Sequence, residues 1–183
     1  MEENLNKTQR LILLNQYQIL SEITDDVQMK KVYQNNIKIL ENGYARLYSV
    51  LYELVENEEL SRDDIEFIND VLDMYSKAMV SYEALNEEDK NEQLEQLVRF
   101  KGFDLNDPQQ SKFVGYIDFM INDYERWEDI KRFVDEGTIE LNSHGFGFKR
   151  EKLENSVNKY KAILKERDTT GKLTVEELKG IFQ

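Results

Sequence analysis

Between Ser61 and Leu85 the sequence leaves little choice of secondary structure. Ile65, Ile68, Leu72, Tyr75, Met79 and Tyr82 follow one another in steps of three and four. That spacing keeps apolar side chains on one stripe of an α-helix and recurs in coiled coils. Val71, Ala78 and Leu85 widen the stripe, so this helix is expected to pack on more than one side and to organise a helical bundle. Ser61-Arg62-Asp63-Asp64 is the N-terminal cap that opens it.

The rest of the chain follows the same logic. Asn6 and Gln9 have capping-box spacing and predict a helix to about Glu22. Thr24-Asp25-Asp26 caps a second helix carrying Met29, Val32, Tyr33, Ile37 and Leu40, which Asn42-Gly43 ends. Tyr44, Leu47, Tyr48, Leu51 and Val55 predict a third helix starting at once, so that the two helices either bend at Gly43 or fold sharply together. After the central helix, Asn86-Glu87-Glu88-Asp89 predicts the cap of a short acidic helix ending near Arg99. Asp107 with Pro108 marks another start, and Phe113, Tyr116, Ile117, Met120, Tyr124 and Trp127 fall on one face. That helix either continues or restarts through Phe133-Val134.

Residues 138–149 read equally as a short β-hairpin or an irregular loop. Leu153, Val157, Tyr160 and Leu164 then define a helix, and Thr174 with Glu177 is a capping box for a last one through Phe182. The expected fold is all-α: a single domain over residues 1–183, a bundle of about seven to nine helices.

Composition narrows function by exclusion. The formal charge of −13 on 183 residues argues against direct nucleic-acid binding, which needs a basic face. The charge is uneven: Lys149–Gln183 holds nine Lys and Arg against six Asp and Glu, leaving residues 1–148 at −16. A basic C-terminal helical segment, residues 150–183, is thus expected either to dock on acidic surface of its own or another subunit or to be an ordinary solvated face. Cysteine is absent, which rules out disulfides and thiolate chemistry. No apolar run approaches the length of a membrane span, and the acidic N-terminus lacks a signal-peptide pattern. A cytoplasmic protein is expected.

Few side chains suggest chemistry. His144 is the only histidine, so His-rich zinc sites and Glu-x-x-His di-iron sites cannot be built in one chain. The Arg-then-His motif of helical ribonucleases is missing as well. A general-base role for His144 rests on Gly145 and Gly147, beside which backbone approaches a ligand easily; the alternative is a histidine hydrogen-bonded within its loop. The glycine alternation there is not a phosphate-binding loop.

Two other segments bear on metal binding. Counted from Gly171, the residues Glu166, Asp168, Thr170, Thr174 and Glu177 occupy calcium-loop positions, although Thr174 and Glu177 already have a capping role. Asp118, Asp123, Glu125, Glu128 and Asp129 crowd one region, either as a magnesium site or as a solvated face. No cofactor or metal is expected.

The remaining polar candidates are Arg10, Asn15, Gln16 and Tyr17, where an apolar helical run ends on an amide pair. An unpaired buried amide costs on the order of 1–3 kcal/mol. The amides are therefore expected either to fix a helix crossing or, with Arg10, to line a small polar pocket. Twenty aromatics, ten of them tyrosine, exceed the needs of one small core and point to tyrosine-rich faces at a subunit interface.

Several segments in succession resemble the YfbU family. They are Gln9-Arg10-Leu11-Ile12-Leu13 leading to Asn15-Gln16-Tyr17, Gly43-Tyr44, Met74-Tyr75, Gly102-Phe103-Asp104, Gly115-Tyr116 with Phe119-Met120, and His144-Gly145-Phe146. The likeness is strongest over about residues 8–165. It implies an all-helical fold, a bacterial or phage cytoplasmic source and an oligomer, and it brings no catalytic residues to carry over. The leading expectation is a non-enzymatic, self-associating interaction or regulatory module, a homo-oligomer with room for a protein partner. The alternatives are a metal-assisted hydrolase or nuclease using carboxylates and His144, and an acidic partner of a basic nucleic-acid-binding protein.

Overall fold

An Asn6–Gln9 capping box opens the first helix as its sequence requires: Gln9 N–H donates to Asn6 Oδ1 and Asn6 N–H to Gln9 Oε1, both at 2.9 Å. The computed structural model describes residues 4–53, 55, 59–167 and 171–183. Over these residues the protein is an all-α multi-helix bundle, and its contacts fall into two units, Met1–Glu59 and Leu60–Gln183.

The first unit is an antiparallel helical hairpin, α1 (Lys7–Ile23) and α2 (Val27–Asn42), followed by a 3-10 helix over Ala45–Tyr52. Asp26 caps α2 by accepting from Gln28 and Met29 N–H at 2.7 and 3.1 Å. Gly43 ends it with φ of 67°, a conformation that costs an L side chain on the order of 1 kcal/mol. The bend at Gly43 is there, but the third helix is a tight 3-10 turn that buries only Tyr48. A 3-10 helix eclipses side chains three apart, so the predicted apolar stripe does not form.

The second unit is built on α3 (Arg62–Glu83), capped by Ser61 Oγ, which accepts from Asp64 N–H at 3.0 Å. Nine of its residues are buried, from Phe67 to Ser81, so it is packed on more than one side as expected. Around it lie α4 (Glu92–Val98), α6 (Glu128–Asp135) and α7 (Arg150–Glu166), with α5 (Gln110–Asn122) against α6 and α8 (Val175–Phe182) against α4 and α7. Aromatic rings fill the centre: Tyr75 lies 5.0 Å from Phe100 and 5.2 Å from Phe182, and Phe103 lies 5.2 Å from Phe113. The basic C-terminal segment docks on the same chain, with Arg150 paired to Asp64 and Lys161 to Asp70, both on α3.

Three expectations need correction. The cap of α4 is Asn91, whose Oδ1 accepts from Leu94 N–H at 2.9 Å; Asn86–Asp89 is a separate turn, closed by Asp89 N–H donating to Asn86 O at 3.0 Å. The face through Trp127 breaks after Asn122, because Glu125 and Trp127 adopt φ of 55° and 56°. Trp127 is buried all the same, its indole N–H donating to Asp73 at 2.6 Å, while Tyr124 is exposed.

Residues 138–149 form no hairpin. Their one bridge is parallel and reaches back to Phe103, whose N–H donates to Leu141 O at 2.9 Å while its carbonyl accepts from Ser143 N–H at 2.8 Å. At Asp107 the prediction holds in substance: Oδ1 accepts from Gln109 and Gln110 N–H at 2.9 and 3.0 Å, although regular helix begins at Gln110.

Candidate functional site

The α1–α2 hairpin presents the least balanced surface of the described residues. Arg10, Leu13, Leu14, Tyr17 and Ser21 recur in steps of three and four and form the more covered face of α1. Arg10 is a structural clamp: its Nε and Nη2 donate to Leu40 O at 2.9 and 2.7 Å, and Nη2 also reaches Glu41 O at 3.0 Å. Those carbonyls lie in the last turn of α2 and have no helical donor of their own. Tyr17 meets Tyr33 across the hairpin with ring centroids 5.9 Å apart.

The opposite face of α1 is apolar and exposed. Ile12, Ile19 and Ile23 are 54%, 60% and 69% exposed, with Leu11 and Leu20 on either side. Asn15 and Gln16 lie in the middle of this stripe and are exposed too. The expected buried amide pair, whether fixing a crossing or lining a pocket with Arg10, is therefore corrected: the amides face outward, while Arg10 belongs to the other side. From Leu11 to Ser21 the helix carries no charge, in a chain that is 33% charged.

Over the described residues, the first unit holds eleven of the sixteen exposed large apolar side chains and only three of the thirty buried ones, Ile39, Leu40 and Tyr48. Of the tyrosines, only Tyr44 is among these exposed side chains of the first unit. Eight of the ten are at least partly buried, and only Tyr44 and Tyr124 are exposed.

His144 belongs to the second unit, 67% exposed, in a left-handed conformation with φ of 50°. Its ring Nδ1 lies 3.0 Å from Asn142 Nδ2 and its Nε2 3.4 Å from Glu140 Oε2, while its backbone N–H donates to Asn142 Oδ1 at 3.1 Å. Of the two glycines beside His144, Gly145 is open, an added Cβ meeting only Asp104 Oδ2 at 3.9 Å, while Gly147 is packed against the chain itself. A Cβ on Gly147 would lie 2.7 Å from Ser143 Oγ and 2.9 Å from Gly102 O, and one on Gly102 would lie 2.6 Å from the Leu141 backbone. These glycines let two loops of the chain touch. The segments Gly102-Phe103-Asp104 and His144-Gly145-Phe146, far apart in sequence, so form one loop cluster, in which Leu105 N–H also donates to Asn142 Oδ1 at 3.2 Å.

The acidic candidates do not assemble. Among the described residues no three His, Cys, Asp or Glu side chains are placed to hold a metal ion. In the supposed calcium loop Asp168 and Thr170 lie outside the described residues. Glu177 accepts from Thr174 N–H at 2.7 Å and faces Arg167 at 3.5 Å, as a capping residue does. A small cleft of about 180 Å³ beside Met79, Tyr82, Val98 and Phe133 has its charges paired, Arg132 with Glu83 at 2.8 Å and Arg99 with Glu95 at 3.8 Å. Burial, then the nearby Glu95 carboxylate, pushes the Tyr82 hydroxyl up, so it stays a neutral phenol. No described helix is long and apolar enough to cross a membrane.

The order of these segments has counterparts elsewhere. A family model described as the YfbU domain matches residues 3–183, across both units. The chain belongs to the YfbU family. A UPF0304 protein of Methanocaldococcus jannaschii is 31% identical over 140 residues, 76% of this chain and 79% of the relative. A UPF0304 protein of Actinobacillus succinogenes is 28% identical over 127 residues, covering 68% and 71%. One of Pasteurella multocida is 27% identical over 128 residues, covering 70% and 73%.

Within this YfbU chain, the surface that sequence reasoning missed is the outward face of α1. Its signal was present in the adjacent apolar pairs Leu11-Ile12, Leu13-Leu14 and Ile19-Leu20. Such pairs cover more than one face of a helix, which two antiparallel helices cannot bury by themselves.

Proposed function

We propose that this YfbU protein is a non-enzymatic, self-associating interaction module that assembles through the outward face of its N-terminal hairpin. The observation that supports the reading is the imbalance of the first unit: eleven large apolar side chains exposed and three buried among its described residues. Surface of this kind marks a contact site, and a hairpin with so little core gains its stability from what covers it. The uncharged run from Leu11 to Ser21 matches the depletion of charge at the centre of protein interfaces. A homo-oligomer in the cytoplasm belongs to this reading, with the second unit free to engage a further protein partner.

Sedimentation equilibrium at micromolar concentration tests it. The wild-type chain is expected as an oligomer, and the double variant Ile12→Asp/Ile19→Asp as a monomer with unchanged helical circular dichroism. A wild-type chain that is monomeric throughout overturns the reading. The hydrolase and acidic-partner readings have no observation that favours them over this one.

A further inference from the structure

The outward face of α1 has a symmetry of its own. Ile12 and Ile19 lie symmetrically about the Asn15–Gln16 peptide bond, and so do Thr8 and Ile23, all on the face turned away from the side that carries Leu13, Tyr17 and Ser21. The only charged side chains of α1 besides the clamp Arg10 are Lys7 at one end and Glu22 at the other. Lys7, Leu11, Asn15, Gln18 and Glu22 run down one flank in steps of three and four.

We infer that a second copy of this chain covers the face, with the two α1 helices antiparallel about a two-fold axis passing near Asn15 and Gln16. The inference rests on the self-association proposed above and deepens it by fixing orientation and register. In a two-fold pair each contact occurs twice, residue i on j and j on i. Antiparallel pairing brings Ile12 onto Ile19 of the other copy and Thr8 onto Ile23, and like flanks meet, so each Lys7 approaches a Glu22. Parallel pairing leaves each Lys7 about 22 Å along the helix from any Glu22 of the other copy, so no such opposite-charge pair forms.

The amides have a role in the same arrangement. At the axis, Asn15 and Gln16 of one copy meet those of the other and bond across the apolar seam. Sliding the helices by one turn sets amides against isoleucines and leaves their hydrogen bonds unmet. A single polar position in an apolar seam specifies register and partner number in this way. The amides that end the apolar run are thus the register key of the interface.

The absence of cysteine makes the test direct. Ile12→Cys and Ile19→Cys proteins are prepared separately and as an exchanged mixture, then oxidised, with folding checked by circular dichroism. In the antiparallel pair the mixed disulfide, joining an Ile12→Cys chain to an Ile19→Cys chain, is expected to dominate. Two copies of Ile12→Cys alone keep their sulfurs offset by about 10 Å along the helices, beyond disulfide reach. Self-linking of Ile12→Cys without the mixed product overturns the inference in favour of parallel helices. A sedimenting oligomer that forms neither link overturns the inference and leaves the self-association standing on another surface. A monomer overturns both.

Charge reversal gives a second, independent reading. Lys7→Glu and Glu22→Lys alone are each expected to weaken the dimer by about fivefold, or ~1 kcal/mol over two symmetric exposed pairs, with the double reversal restoring it. No recovery in the double variant overturns the antiparallel register.

Discussion

The guanidinium of Arg10 lies directly against Gly43: a Cβ built on that glycine would come 3.1 Å from Arg10 Nη1 and 3.2 Å from Cζ. The two residues sit at opposite ends of the α1–α2 hairpin sequence and together finish α2. Gly43 supplies the left-handed turn, and Arg10 supplies donors to the Leu40 and Glu41 carbonyls that the ended helix leaves open. Replacing Arg10 by Ala is therefore expected to destabilise the hairpin by about 1–2 kcal/mol. Arg10→Lys recovers only part, because an ammonium cannot reproduce the fork that spans two carbonyls. Amide hydrogen exchange at the C-terminal turn of α2 checks this, with protection lost there first.

This pair also shows how much of the molecule was legible in advance. Local chemistry was readable wherever one residue type serves one backbone need: the Asn6 and Thr174 capping boxes, the Ser61 cap and the Gly43 stop stand where the sequence puts them. The apolar stripe of α3 was readable because its period is long and unbroken. What was not readable depends on partners distant in sequence. Phe103 pairs with Leu141 and Ser143, so residues 138–149 spend their backbone groups on a remote loop and not on each other. Periodicity alone assigns Asn15 and Gln16 to no particular face, because it shows only that the helix is apolar on several. Which face meets α2 is set by the hairpin register, and that depends on Arg10 reaching Leu40.

Asp64 and Arg150 join α3 to α7, and the guanidinium also stacks 4.5 Å from the centre of the Phe67 ring. Hydrogen bonding from Arg150 holds the Asp64 carboxyl below its ordinary value of 3.8, against an opposing push from burial. A carboxyl depressed in the folded state contributes stability above its unfolded pKa and loses that contribution as pH falls through the lowered value. Asp64→Asn is thus expected to cost about 1–2 kcal/mol at neutral pH, with the difference from wild type vanishing in acid below the aspartate range. Urea unfolding across pH, followed by circular dichroism, checks both the size and the sign.

Trp127 is the only tryptophan and donates its indole N–H to Asp73 at 2.6 Å from a left-handed backbone position between α5 and α6. Trp127→Phe keeps much of the buried ring but leaves the Asp73 carboxylate without that donor. A loss of about 1.5–3 kcal/mol is expected, as for hydrogen bonds to charged acceptors. A double-mutant cycle with Asp73→Ala separates this bond from lost packing: the two effects must combine to less than their sum.

Glycines separate cleanly by surroundings. Gly102→Ala drives a methyl group to 2.6 Å from the Leu141 backbone at φ of 74°, where neither partner is a flexible side-chain end. It is expected to destabilise by about 2–3 kcal/mol and to break the Phe103 bridge. Gly115 and Gly180 are helical and exposed, with nothing within 4 Å of an added Cβ, so alanine there should stabilise by about 0.5–1 kcal/mol. Thermal melts of the three variants side by side test the contrast. An equal loss in all three would mean that the close approach of the two loops contributes little.

Folding and assembly are coupled if the hairpin relies on a second copy for its cover. An interface that binds only folded chains stabilises them by mass action, by about 1.4 kcal/mol of association free energy for each tenfold rise in concentration well above the dissociation constant. The unfolding of wild type is therefore expected to move to higher temperature as concentration rises from about 1 to 100 μM, two tenfold steps on that scale. Ile19→Asp removes apolar surface that the isolated chain leaves 60% exposed, so it should change nothing in a monomer's core. Its melting curve is expected at the low-concentration position of the wild type and to stay there at every concentration. A wild-type melt with no concentration dependence would mean that the exposed isoleucines contribute nothing to the stability of the fold.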